Sequence, residues 1–100
     1  MSAFLVVTAR ISDPLAFRAY AEKTAALVAA FGGHYRVLGA LPEVLEGQPR
    51  EGKVVISEWP SMEAARRFWD SPEYAQARQL REGTGSFDVM LVNGLPEQKA

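Results

Sequence analysis

Six side chains able to do acid–base or ionic chemistry stand at strand-like positions of this chain of 100 residues: Thr8, Arg10, His34, Arg36, Glu58 and Asp88. A carboxylate or imidazole beside a guanidinium can accept a proton while the cation holds an anionic group. Glu58 or His34 as proton acceptor, with Arg10, Arg36 and Asp88 as substrate-binding groups, therefore suits enol or carboxylate chemistry. The charges Arg10, Arg36, Glu58 and Asp88 equally suit an ion-pair network that locks two copies in register and needs no substrate. For His34, which follows a glycine pair, a partly exposed residue at a strand start is the simpler account. A single histidine among scattered carboxylates lacks the ligand spacing of zinc or iron sites, so neither a metal nor a cofactor is expected. Cysteine is absent, which excludes disulfides and thiolate catalysis. There is no Ser-His-Asp order, phosphate loop or dinucleotide fingerprint.

The elements that must position these groups are marked by local signals. Residues 4–11 are apolar and β-branched enough for a strand, and Ser12-Asp13-Pro14 then supplies a cap with proline at the first helical position. From Pro14, the residues Phe17, Tyr20, Ala21, Thr24, Leu27, Val28 and Phe31 recur at helical spacing and predict one buried face. Gly32-Gly33 offers a left-handed cap, after which 34–38 reads as a strand that breaks at 39–42 and resumes at 43–46, bent or bulged. Turn residues at 47–52 lead into a strand at 53–59, hence a hairpin. Pro60-Ser61 stops that strand and caps a helix to about Trp69, and Ser71-Pro72-Glu73 repeats the signal for a short helix over 72–81. A last strand spans 86–92. One domain covers 1–94, with a loose tail at 95–100.

The order β-α-β-β-α-β predicts an α+β, ferredoxin-like fold: a four-stranded antiparallel sheet with its helices on one face. In the first strand Leu5, Val7, Ala9 and Ile11 share one face, and Phe4, Val6, Thr8 and Arg10 the other. In the last, Phe87, Val89 and Leu91 oppose Asp88, Met90 and Val92, so both faces of the sheet are apolar. An uncovered apolar face calls for a partner, most simply a second copy, which predicts a homodimer by sheet-on-sheet packing. Taking the first and third strands as parallel neighbours gathers Thr8, Arg10, His34, Arg36, Glu58 and Asp88 at one end of the sheet. That would form a mouth pocket for a small-molecule ligand. Arg10, Asp88 and Glu58 fall on the helix-free face by parity, whereas a bulge leaves His34 and Arg36 open.

The net charge of −1, with acidic and basic residues interspersed, gives no positive field for nucleic acid or an anionic membrane. The start of the chain runs directly into a strand without a basic leader or membrane-length apolar run, so a cytoplasmic protein is expected. Phe68, Trp69 and Tyr74 flank a helix–helix corner, where aromatics usually fill core, although they could wall a cavity. Arg66, Arg67, Arg78 and Arg81 are interleaved with Glu63, Asp70, Glu73 and Glu82 and read as a solvated helical surface.

An ordered set of motifs spans nearly the whole chain. It comprises Asp13-Pro14 after the first strand, Phe31-Gly32-Gly33-His34-Tyr35, Val44-Leu45-Glu46-Gly47, Glu58-Trp59-Pro60-Ser61 with Ala64-Ala65-Arg66, and Ser71-Pro72-Glu73-Tyr74. Together these resemble the DUF1330 family, from about Phe4 to Gly94. The resemblance implies the dimeric α+β barrel fold, akin in shape to small cofactor-free monooxygenases and muconolactone isomerase-like proteins. It names no reaction. Three readings follow: a small cofactor-independent enzyme acting on an acidic or enolic compound, a non-catalytic dimeric ligand-binding module, or a structural dimer.

Overall fold

Alternation along the strands builds a single four-stranded sheet in the computed structural model, which describes residues 2–96. The elements are β1 (Ala3–Ile11), α1 (Pro14–Ala30), β2 (His34–Ala40), β3 (Lys53–Trp59), α2 (Met62–Trp69), α3 (Pro72–Gln79) and β4 (Gly85–Asn93). The strand order is β2-β3-β1-β4, every neighbouring pair is antiparallel, and the fold is ferredoxin-like α+β. The parallel pairing expected of β1 and β3 is therefore corrected. A helix returns β2 parallel to β1, and the hairpin then reverses β3, so β3 must oppose β1 when the two are adjacent.

Local chemistry sets each boundary. Asp13 caps α1 by accepting the Ala16 N–H, and Ser61 and Ser71 do the same for α2 and α3 through Ala64 and Tyr74. At the other end of α1, Gly32 takes a φ of 89°, while Gly33 N bonds to Val28 O and Gly32 N to Ala29 O, a Schellman cap. Gly33 also has a packing reason to lack a side chain, because a Cβ there would lie 2.7 Å from the Trp59 ring. β2 shifts register between Tyr35 and Val37 and again between Leu38 and Ala40. At the first shift Arg36 and Val37 together oppose Ile56, so both lie on the face away from the helices. The expected resumption of β2 at 43–46 does not occur. Residues 41–52 form an irregular loop in which Leu41 and Leu45 are exposed.

The helices cover the sheet face bearing Leu5, Val7 and Ala9. The buried cluster there is Leu5, Val28, Trp59, Ala65, Phe68, Tyr74 and Ala77, joined at its edge by Leu27, Phe31, Tyr35, Val89 and Leu91. The opposite face carries Phe4, Val6, Val54, Ile56, Met90 and Val92, and among the described residues no helix lies over it. The result is a slab 47 × 38 × 16 Å. Its surface of 7072 Å² exceeds the roughly 5,600 Å² typical of a folded monomer of 11.0 kDa. Of the expected tail at 95–100, residues 97–100 lie outside the described residues.

Candidate functional site

A cavity of about 240 Å³ lies between the sheet and the helices, floored by Leu5, Val7, Val55 and Val89 and roofed by α1. Its walls are mostly apolar, and the polar side chains that reach it are hydroxyl-bearing residues and Arg81. The Tyr20 and Tyr74 hydroxyls lie 2.8 Å apart in a mutual hydrogen bond. Whichever donates, the other keeps its proton for a further acceptor. Thr24, one helical turn after Tyr20, is buried and also lines the cavity, and its Oγ1 has no hydrogen-bond partner among the described residues. A buried hydroxyl without a partner carries a desolvation penalty that a bound acceptor would remove. Burial raises the Tyr35 phenol to about 12, with a smaller contribution from Tyr20. Burial likewise pushes the Tyr74 phenol up, again with help from Tyr20. Both therefore stay neutral at ordinary pH and act as donors, and among the described residues the cavity lining contains no carboxylate or imidazole to act as a base.

The six residues marked out in the sequence lie elsewhere. All occupy the helix-free face, but at two separate ends of the sheet, because antiparallel pairing sets Phe4 opposite Glu58 and Arg10 opposite Ser86. Six residues along β1 amount to roughly 20 Å. At one end Arg10 pairs with Asp88 at 2.6 Å and donates to Ser86, with Thr8 opposite Asp88 in the register. An open groove passes Arg10, bounded by Leu41, Lys53 and Gly85. At the other end Arg36 pairs with Glu58 at 2.9 Å, Ser2 donates to the same carboxylate, and His34 stands opposite Glu58 in the register. The single cluster expected of these residues is thus two clusters, and the cause is the direction of β3.

The Arg36 guanidinium, then the Ser2 hydroxyl, hold the Glu58 carboxyl below the usual carboxylate range against a weaker desolvation effect. A depressed carboxyl contributes stability above its unfolded value, about 4.3, and loses it as pH falls through the folded value. The difference in thermal midpoint between the wild type and Glu58→Gln should therefore shrink as pH drops from about 5 to 3. A difference that does not change with pH would show that the ion pair carries no such linkage.

Phe68 and Tyr74 do fill core, and with Trp69 they also wall the cavity, so the two expected roles coincide. The arginines depart further from the solvated surface expected of them. Arg66 pairs with Asp70 at 3.7 Å in the open, but Arg78 lies over Trp69 and Arg81 over Phe87, drawn onto aromatic faces that the sequence does not show to be adjacent. The sequence does not single out Tyr20, Thr24 or Tyr35 as functional. The one visible signal, for Tyr20 and Thr24, is a pair of hydroxyl-bearing residues at i and i+4 on an otherwise apolar helix face. Among the described residues no three histidine or acidic side chains stand together as a metal site, and no helix is long and apolar enough to cross a membrane.

A family model described as a domain of unknown function, DUF1330, matches residues 2–95. No curated protein matches. Among solved structures, a protein of unknown function from Rhodopseudomonas palustris superposes with a TM-score of 0.72 at 20% identity, covering 96% of this chain and 84% of that one. The cofactor-independent oxygenase SnoaB from Streptomyces nogalater gives 0.61 at 16% identity, covering 96% and 95%. A dimeric protein of unknown function with a ferredoxin-like fold from Bacteroides fragilis gives 0.62 at 14% identity, covering 93% and 96%. At these identities the likeness is one of fold.

Proposed function

The chain belongs to the DUF1330 family, and on that premise we propose that it binds a small, ring-bearing compound with a carbonyl or enol oxygen in the cavity beneath α1, as one half of a homodimer. The observation that carries this reading is the cavity itself: apolar walls, one spare phenolic proton and one unpartnered buried hydroxyl. Few convergent polar groups in an apolar enclosure are the usual make-up of a ligand site, and about 240 Å³ suits one or two rings. Ala21 and Ala25 on α1 line the cavity yet remain exposed, as does Leu38 on β2, which puts its mouth between these elements.

The finer reading is a cofactor-independent enzyme acting on an acidic or enolic compound. Neutral phenols around the cavity would stabilise an enolate oxygen by hydrogen bonding, and the kinship in shape to a cofactor-independent oxygenase supports it by analogy. A proton-acceptor role for His34 or Glu58, with Arg36 as anchor, belongs to the alternative in which chemistry occurs on the sheet's other face. The wide separation from Arg10 and Asp88 favours instead two ion pairs framing an apolar dimer interface. The dimeric neighbour of like fold and the excess surface of the slab support that assembly.

Filling the cavity tests the reading. Ala25→Trp should keep the fold yet abolish the rise in thermal midpoint that one- and two-ring carbonyl compounds give the wild type. A ligand at one hundred times its Kd stabilises by about 2.7 kcal/mol, well within reach of a thermal-shift measurement. Equal shifts in wild type and variant, or none across the panel, would remove the cavity as the binding site.

A further inference from the structure

We propose that Arg81 is the specificity-determining residue of this cavity, and that the ligand is an aromatic acid whose carboxylate or enolate oxygen docks on the Arg81 guanidinium. The inference rests on the cavity reading above and adds the charge of the ligand and the residue that selects it. Among the described residues Arg81 is the one charged side chain lining the cavity, and no carboxylate lines it. Its Cζ lies 4.5 Å from the Phe87 ring centroid and 5.4 Å from that of Tyr20, so the cation sits at the end of the cavity where Tyr20 already offers a hydroxyl. Arg10, Arg18, Arg36 and Arg66 each have an acidic partner. Among the described residues Arg81 has none within salt-bridge distance, although Glu82 and Glu73 lie close by in sequence.

The backbone beneath Arg81 is held in place from both sides. Its N–H bonds to Arg78 O beyond the end of α3, and its carbonyl accepts both the N–H and the hydroxyl of Thr84. Thr84 is 2% exposed, and its own carbonyl accepts the N–H groups of Ser12 and Asp13 at the corner between β1 and α1. The turn carrying Arg81 is thereby tied to the corner where α1 begins, and the guanidinium is preorganised over two aromatic faces. Stacked in this way, a guanidinium keeps its in-plane N–H donors free, and these suit the two oxygens of a carboxylate. The apolar walls would take the ring, and the Tyr20 and Tyr74 pair would give the remaining proton to the same anionic end.

The test compares two probes of one shape, 2-naphthoate and its neutral amide, 2-naphthamide, titrated calorimetrically into the wild type, Arg81→Met, Arg81→Lys and Ala25→Trp. Arg81→Met keeps an apolar side chain of similar reach and removes the charge, with circular dichroism confirming the fold. The wild type should bind the acid more tightly than the amide by on the order of tenfold to a hundredfold. Arg81→Met should erase that preference by weakening the acid far more than the amide, and Arg81→Lys should restore part of it. Equal affinities in the wild type, or an equal loss for both probes in Arg81→Met, would make Arg81 a packing residue and overturn the proposal. If the amide binds and Ala25→Trp blocks it without any preference for the acid, the proposal for Arg81 falls and the cavity stands. If neither probe binds, both fall together.

Discussion

Trp59→Ala is expected to cost about 3–5 kcal/mol of stability, measured by urea denaturation at one fixed protein concentration. Trp59 is 1% exposed, its ring centroid lies 4.8 Å from that of Phe68, and its far edge fills the space that glycine leaves open at Gly33. Removing the ring therefore opens a void between α2, the end of α1 and the sheet that backbone cannot collapse into. It also takes away the donor to Ser57, since Trp59 Nε1 gives its proton to Ser57 Oγ at 2.9 Å, and Ser57 is itself buried. Against a total of about 5–15 kcal/mol for a domain of this kind, the loss would leave a marginal fold. Trp59→Phe separates the contributions, because it retains much of the volume but not the N–H, and it should cost distinctly less. A loss below about 1 kcal/mol for Trp59→Ala would mean that the ring is not the keystone its burial implies.

The second large effect concerns assembly. Val6 lies in the middle of the helix-free face, opposite Ile56 on one side and Met90 on the other, with Val54, Val92 and Phe4 nearby in the register. Val6→Asp would place a carboxylate at the centre of the proposed sheet-on-sheet interface, and twofold symmetry would put two of them there. An unpaired charge buried at an interface costs several kcal/mol. The expected result in sedimentation equilibrium is a wild type of twice 11.0 kDa and a Val6→Asp variant at the monomer mass with its helices intact by circular dichroism. The excess surface of the slab, roughly 1,500 Å² over a typical monomer, is ample for the 800 Å² or so that each partner contributes to a stable interface. A monomeric wild type would refute the homodimer, and a variant that still dimerises would move the interface to another surface, such as the exposed Leu38, Leu41 and Leu45.

Much of this architecture is legible before folding. Asp13, Ser61 and Ser71 mark three helix starts because a cap is a contact within three residues, and all three accept the backbone N–H groups that their position calls for. The division of β1 and β4 into two apolar faces is equally local, since side chains alternate on any strand. The direction of β3 was also contained in the order of the elements, and reading β1 and β3 as parallel neighbours displaced Glu58, His34 and Arg36 by the length of the sheet. The bulge at Arg36 and the second at Gly39 escaped parity counting, because each inserts a residue that only pairing with β3 reveals.

By itself the sequence determined the elements apart from the second half expected of β2, their caps, the two-faced sheet and membership of the family, because these depend on neighbours a few residues apart and on an ordered set of motifs. The tertiary structure decided where chemistry can occur. It set Arg10 and Asp88 apart from Arg36 and Glu58, and it enclosed a cavity whose Tyr20, Thr24, Tyr35, Tyr74 and Arg81 come from two helices, one strand and a turn. A void is a property of the distance between layers, set by how α1, α3 and the sheet rest on one another, and no spacing along the chain encodes it.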